Sequence, residues 1–280
     1  MTVLVLDDHR ALVFGRDGFY LVNRNDFYMG KALEMYGEYG FAEGKALQVM
    51  VSEGDTVIEV GANIGAHTVG LAKRVGRAGR VYAYEPQRQC HVLLQAQIAL
   101  NGLDQVIAFA EGCGARAGTM WHEPLNYEKL GNFGSLSLVS KARDGYAPVP
   151  VRTLDHAHGN EKVRLIKIDV EGMEAEVLAG ARKLIRDQQP ILYMENDRVE
   201  KSESLIKLVH EMGYKAWWHV CPLFNPGNFF GQQNNIYKIA HSFNMICMPS
   251  HVQLPPDSFS GEVRLDRPHP LDAARARSDG

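Results

Sequence analysis

The chain of 280 residues has only four cysteines, Cys90, Cys113, Cys221 and Cys247, and no two of them stand in a CxxC spacing. That scatter argues against a disulfide framework and against a thiolate zinc site, and reads as reduced thiols in a cytoplasmic protein. No stretch approaches the roughly 18 consecutive apolar residues of a membrane-crossing helix. The first residues, MTVLVLDDHR, bring two aspartates where a secretory signal would continue its apolar run. Neither a membrane span nor a leader is therefore expected. Positive charge is not in excess either, with 30 Lys and Arg against 33 Asp and Glu and a formal net charge of −3. Such a balance offers no general attraction for a phosphate backbone, so nucleic acid is not the expected partner.

What the chain does have is 45% hydrophobic composition, enough to bury a core as one large domain with decorations. Its most informative stretch is 55–68, DTVIEVGANIGAHT. The β-branched run Thr56-Val57-Ile58-Glu59-Val60 predicts a buried strand. Gly61 and Gly65 then predict a sharp turn that keeps side chains out of a ligand's way. A helix expected to open near Ala66 aims its amide donors and positive dipole end into the same space. Glu59, two residues before the first glycine, offers a carboxylate to an ammonium or hydroxyl group. Strand, turn and helix together read as the mouth of a Rossmann-like sheet.

The rest of the chain extends that reading. Residues 1–26 alternate apolar and polar groups and predict a hairpin or two small strands, an N-terminal flap. Tyr28, Tyr36, Tyr39 and Phe41 follow, and either pack the flap onto the main domain or line a ligand entrance. A second strand over 80–84 ends in Glu85-Pro86. Glu85 lies 20 residues after Gly65, the spacing at which an acidic group at a strand tip accepts from ribose hydroxyls, and Pro86 stops the strand there. A helix over 87–100 and a strand over 105–110 lead to Glu111-Gly112-Cys113-Gly114, a loop suited to lie against a planar base. Residues 115–153, with β-like runs at 118–121, 135–138 and 149–153, read as an insertion over the ligand edge. The fourth strand, 163–170, is apolar except for Lys167 and Asp169, which share one face and precede Glu171. One amphipathic helix is predicted over 173–187, then a strand over 191–194 that ends in Glu195-Asn196-Asp197. A helix over 202–212 and strands over 215–220 and 235–240 follow, 247–249 is ambiguous, and the tail from about 250 reads as extended. This alternation predicts a doubly wound α/β sheet, with acidic groups gathered at the carboxyl ends of strands one, two, four and five, where such sheets bind ligands.

The series VIEVGANIGAHT, VYAYEP, VRTLD, IKIDVEGMEAEVLAGA and ILYMEN resembles the FkbM family of S-adenosylmethionine-dependent methyltransferases over about residues 35–240. The resemblance implies the α/β class I methyltransferase fold, a mostly parallel seven-stranded sheet with its last strand antiparallel. The chain then divides into a β/α flap with a helical lead-in at 1–50, a methyltransferase domain at 51–249 with a substrate-side insertion at 115–153, and an extension at 250–280. The resemblance further implies that Glu59, Gly61, Ala62, Asn63, Gly65 and Thr68 surround the methionine part of S-adenosyl-L-methionine. By the same implication Glu85, with Pro86 beside it, holds the ribose, and Glu111, Gly112 and Cys113 border adenine. Lys167, Asp169, Glu171 and Glu195 would face the methyl group and the acceptor. Glu59 stands where many members carry Asp.

NAD is the competing cofactor, but Gly61-Ala62-Asn63-Ile64-Gly65 does not reproduce the G-x-G-x-x-G spacing of a dinucleotide site. The expected activity is O-methylation of a sugar or polyketide-like natural product, with the acceptor class implied by the resemblance alone. The alternatives are a carboxylate or nitrogen acceptor on a small molecule or peptide, and a nucleoside-binding protein without turnover. Asp169 or Glu171 is the candidate proton acceptor, although either also suits a helix N-terminus. Asp155-His156-Ala157-His158 has the look of a metal cluster, but neighbouring loop histidines are commonly just solvated, and no metal is assigned. His67 and His219 are further candidates for a base or a substrate contact. Homodimerisation is left open.

Overall fold

The computed structural model describes residues 2–252, 262–267 and 269–272. Its first strands are β1 (Val3–Val5), β2 (Arg10–Phe14) and β3 (Phe19–Asn23), an antiparallel meander with one strand more than a hairpin. Alternation turns Ala11, Val13, Tyr20 and Val22 inward. Two helices follow, α1 (Met29–Tyr36) and α2 (Phe41–Val49).

The central sheet is built from β4 (Thr56–Val60), helix α3 (Thr68–Val75), β5 (Arg80–Tyr84), α4 (Arg88–Asn101) and β6 (Val106–Phe109). An excursion then forms a small separate sheet from β7 (Gly112–Cys113), β8 (Gly118–His122) and β9 (Ala147–Arg152). After the short helix α5 (Leu154–His158) the central sheet resumes with β10 (Leu165–Ile168), α6 (Glu174–Ala179), α7 (Arg182–Gln188), β11 (Ile191–Glu195), α8 (Val199–Glu211), β12 (Tyr214–Pro222) and β13 (His241–Pro249). Its seven strands lie in the order β12-β13-β11-β10-β4-β5-β6, and β13 runs antiparallel to both neighbours while the others run one way. This is the class I methyltransferase sheet, wound outward from β4 with the antiparallel strand slotted beside the last-but-one.

Register brings the chemistry to the middle of this sheet. Parallel pairing of β4 and β10 sets Glu59 directly beside Lys167, with Ala83 and Tyr193 as the next neighbours in the same row. The flap is tied to the same body by Gln97 of α4. Its side chain accepts from Leu21 N at 2.8 Å and donates to the carbonyls of Leu21 and Ile64, each at 3.0 Å. No helix among the described residues is long and apolar enough to cross a membrane.

Several expectations are corrected. The strand expected at 235–240 lies instead at His241–Pro249, where β11 and β12 flank it on both sides. Its residues Asn244 to Cys247 are all buried, so the period-two alternation that betrays a half-exposed strand is missing. Tyr237 owes its position to packing on Tyr28 and Tyr36 of the lead-in, with its hydroxyl on Tyr28 O at 2.6 Å. The run at 135–138 is not a strand, and strand four is shorter than predicted, Leu165–Ile168. The single helix expected over 173–187 is two. Gly180 is pressed against Gly114, whose carbonyl oxygen would lie 2.0 Å from a Cβ at this position. The new N-terminus of α7 is capped from a distance, by Asp155 accepting from Lys183 N and Leu184 N at 3.0 and 2.8 Å. Of the C-terminal extension, Val263 N donates to Ala216 O at 2.8 Å, adding to the β12 edge. Residues 253–261, 268 and 273–280 of that extension lie outside the described residues.

Replacing glycine by alanine at a helix end ordinarily stabilises slightly. Gly180→Ala is expected to do the reverse, lowering stability by about 1–3 kcal/mol in urea denaturation, because the new methyl group must displace backbone rather than solvent.

Candidate active site

The turn after β4 is shaped by a close approach of two strand ends. Gly61 has φ +83°, and a Cβ there would fall 1.7 Å from the carbonyl oxygen of Asp169, so only glycine lets the ends of β4 and β10 touch. The backbone N–H of Asn63, itself at φ +50°, donates to Glu85 Oε2 at 2.8 Å, and Gln87 N donates to Oε1 at 2.7 Å. Both oxygens of Glu85 are thus aimed by the backbone, each keeping a lone pair for a ligand. Burial, opposed by these two donors, pushes the Glu85 carboxyl up to about 7.

Beside the turn lies a buried ion-pair cluster. Lys167 is 2% exposed, with Nζ 3.2 Å from Asp169 Oδ2, 3.8 Å from Glu59 Oε1 and 3.4 Å from the carbonyl of Gly61. Thr68 donates its hydroxyl to Glu59 Oε2 at 2.6 Å. Burial pulls Lys167 toward neutrality, but Asp169, Glu59 and Glu43 outweigh it and hold the ammonium charged above the usual lysine range. Burial raises Glu59, with Lys167 and the Thr68 hydroxyl opposing.

Two adjoining cavities open at the carboxyl edge of the sheet. The first lies between the β5 end (Glu85, Pro86, Gln87), the segment after β6 (Glu111, Gly112, Cys113) and Phe133, Leu136 and Leu138 of the excursion. The second, wider and open to solvent, is lined by Glu59, Ala62, His67, Lys167, Glu195, Asp197 and Arg198, with Tyr28 and Tyr39 from the lead-in. Gly61, Asn63, Glu85, Gly134, Asp169 and Glu171 line both.

The sequence-derived candidates therefore converge, with two qualifications. Gly65 and Thr68 line neither cavity: Thr68 stands behind Glu59, and Gly65 makes room for Leu94, whose side chain would lie 2.8 Å from a Cβ. The Glu111 carboxylate is already engaged by the Arg152 guanidinium, which also lies over the Phe109 ring at 5.0 Å. Glu171 has φ +55° and is paired with Arg198; burial and Asp169 push its carboxyl up to about 7. One group gave no sequence signal. Glu43 of α2 is buried, pushed up to about 7 by burial, with His67 Nε2 at 3.7 Å from its Oε1. Burial, then the Lys167 charge, lowers His67 to about 3, so its imidazole is neutral. The Asp155-His156-Ala157-His158 run does not gather: Asp155 caps α7, while His158 meets the Tyr84 hydroxyl at 2.6 Å and Glu161 at 3.2 Å. His219 meets the Tyr193 hydroxyl at 2.9 Å, away from both cavities.

Two measurements probe this electrostatic frame. Lys167→Met leaves Glu59 buried without its cation and is expected to cost about 3–5 kcal/mol in chemical denaturation at neutral pH. Glu85 titrates near 7 when folded and near 4.5 when unfolded, so its contribution is present below about 4.5 and lost as pH rises toward 7. Urea denaturation of the cofactor-free protein should accordingly show Glu85→Gln gaining on the wild type between pH 4.5 and 7, by roughly 3 kcal/mol at the top of that range.

The site fits S-adenosylmethionine on its own geometry. The first cavity is bordered by the aimed carboxylate of Glu85, and the fully buried Glu59, in the wall of the second, leaves Oε1 without a hydrogen bond. An excess of carboxylates over cations suits a ligand bearing an ammonium and a sulfonium. The chain is similar to several known proteins. Methyltransferase sdnD of Sordaria araneosa is 28% identical over 159 residues, covering 44% of this chain; the chain spans 59% of that relative's length. Methyltransferase FkbM from Methylobacillus flagellatus is 18% identical, with a TM-score of 0.46 over 70% of this chain and 44% of that one. A SAM-dependent O-methyltransferase from Thermotoga maritima is 13% identical, with a TM-score of 0.46 over 76% of this chain and 66% of its own. The model of the methyltransferase FkbM domain matches residues 59–216, and the chain belongs to that family.

Proposed function

We propose that the chain is an S-adenosylmethionine-dependent methyltransferase that methylates a hydroxyl oxygen of a small, sugar-like or polyketide-like molecule. The observation that carries this reading is the junction of the two cavities. The one walled by Glu85 and the β6 segment meets the wider, polar one at Gly61, Asp169 and Glu171, so a donor in the first and an acceptor in the second would touch there.

Bound S-adenosylmethionine supplies an activated methyl group on a sulfonium. The chain has to align the acceptor and keep water out. Glu85 holds the ribose hydroxyls through the lone pairs its backbone donors leave free, and Phe133 and Leu136 close the apolar side of that cavity. Asp169 stands at the junction, 38% exposed at its side chain and anchored by Lys167, where it accepts the acceptor's hydroxyl proton. Lys167 keeps Asp169 oriented and stays charged. The hydroxyl acceptor is favoured over a carboxylate, which would need no base and would meet the excess of negative charge in the wide cavity.

Incubation with labelled methyl donor and a panel of sugars, macrolides and peptides is expected to give transfer to hydroxyl-bearing small molecules. Asp169→Asn should lower kcat by 10²-fold or more while S-adenosylhomocysteine affinity, read by calorimetry, changes little. Glu85→Ala should instead weaken that affinity by roughly ten- to a hundredfold. Failure of the wild type to bind S-adenosylhomocysteine at millimolar concentration would sink the enzyme reading.

A further inference from the structure

The wide cavity has charge that methyl transfer does not use. Six carboxyl groups line it, Glu59, Glu85, Asp169, Glu171, Glu195 and Asp197, against Lys167 and Arg198 and two histidines. Both cations are taken, Lys167 by Asp169 and Glu59, and Arg198 by Glu171 and Asp197. Glu85 is satisfied by backbone donors. Among the described residues, two oxygens of these lining side chains are buried and without a hydrogen bond, Glu59 Oε1 and Glu195 Oε2. A buried carboxylate oxygen without a donor is costly, and native structures keep such atoms where a ligand supplies the missing group.

The two oxygens are not equivalent. Glu59 ends the β4 side, next to Gly61, where the ammonium of the methyl donor is available to it. Glu195 ends β11, two strands away, and lines the wide cavity but not the first one. Its missing donor therefore has to arrive with the acceptor. Tyr28 and Tyr39 line the same chamber and add aromatic surface to its wall.

We propose that the acceptor is an amino sugar or a similarly aminated polyol, and that Glu195 anchors its protonated amine while a neighbouring hydroxyl faces Asp169. This deepens the methyl-transfer reading of the same site and rests on it. Burial, and then Asp169, Asp197, Glu171 and Glu174, push the free Glu195 carboxyl well above the usual range. An ammonium ion beside it restores the ionised form and forms a charge-assisted hydrogen bond. A neutral sugar can offer only a hydroxyl there.

The test uses the full chain saturated with S-adenosylhomocysteine. Methyl glycosides of glucosamine, galactosamine and mannosamine are each titrated beside the parent sugar with a hydroxyl in place of the amine, followed by ligand-observed NMR. At least one amine is expected to bind about tenfold more tightly than its parent. Glu195→Gln should abolish that preference and Glu195→Asp retain it, with S-adenosylhomocysteine affinity serving as the check that each variant is folded. Amines that bind no better than their parents, or a preference that survives Glu195→Gln, would overturn the proposal and leave methyl transfer standing. Loss of S-adenosylhomocysteine binding by the wild type would overturn both, and is measured first.

Discussion

The structure depends on a charged pair in the least hospitable part of the sheet. Glu59 and Lys167 stand side by side in the two central strands, both essentially without solvent contact. Removing two charges from water costs several kcal/mol each, and their attraction returns it only if other groups complete the shell. Here the Thr68 hydroxyl on Glu59, and Asp169 and the Gly61 carbonyl on Lys167, supply most of that shell and leave Glu59 Oε1 with the Lys167 charge alone. The pair cannot be separated without exposing a bare charge to the core, and this ties the register of β4 on β10 to the chemistry at their ends. A slip of one residue would turn Glu59 and Lys167 onto opposite faces.

That register explains the geometry of the turn above it. With β4 and β10 locked together, their carboxyl ends emerge at the same height, and the chain leaving β4 passes within contact of Asp169. Glycine at 61 is a consequence of this closeness, as is the positive φ that redirects the chain so that Asn63 N reaches Glu85. A single line of constraint therefore runs from the buried pair, through a backbone contact, to the carboxylate that ends the neighbouring strand.

The two cavities are completed by parts of the chain far away in sequence. The excursion between β6 and β10 supplies Phe133, Gly134 and Leu136. The lead-in supplies Tyr28 before α1, Tyr39 between α1 and α2, and Glu43 of α2 against His67. Gln87 ties the excursion to the β5 end, its amide donating to Phe133 O at 2.6 Å. The sheet thus provides the acidic floor, and the irregular segments give the cavities their shape and polarity, in keeping with the division of labour between scaffold and loops.

How much of this was legible before the fold was in view follows from the range of the forces involved. Local chemistry determined the strand, turn and helix of 55–68, the acid at the tip of the next strand and the Lys167-Ile168-Asp169 strand end, because glycines, β-branched runs and spacing act within a few residues. The same locality made the family resemblance and the sheet class readable. Only the tertiary structure decided that the Thr68 hydroxyl donates to Glu59, that Glu111 pairs with Arg152, and that the helix after Gly172 breaks at Gly180. It alone brought Glu43 beside His67 and left Glu195 with an unpartnered oxygen. The central strand His241–Pro249 escaped notice for the same reason: with neighbours on both edges and both faces covered, its pattern carries no trace of which side is in. Burial, ion pairing and close packing are properties of residues that meet across the fold, and a linear pattern does not record which residues those are.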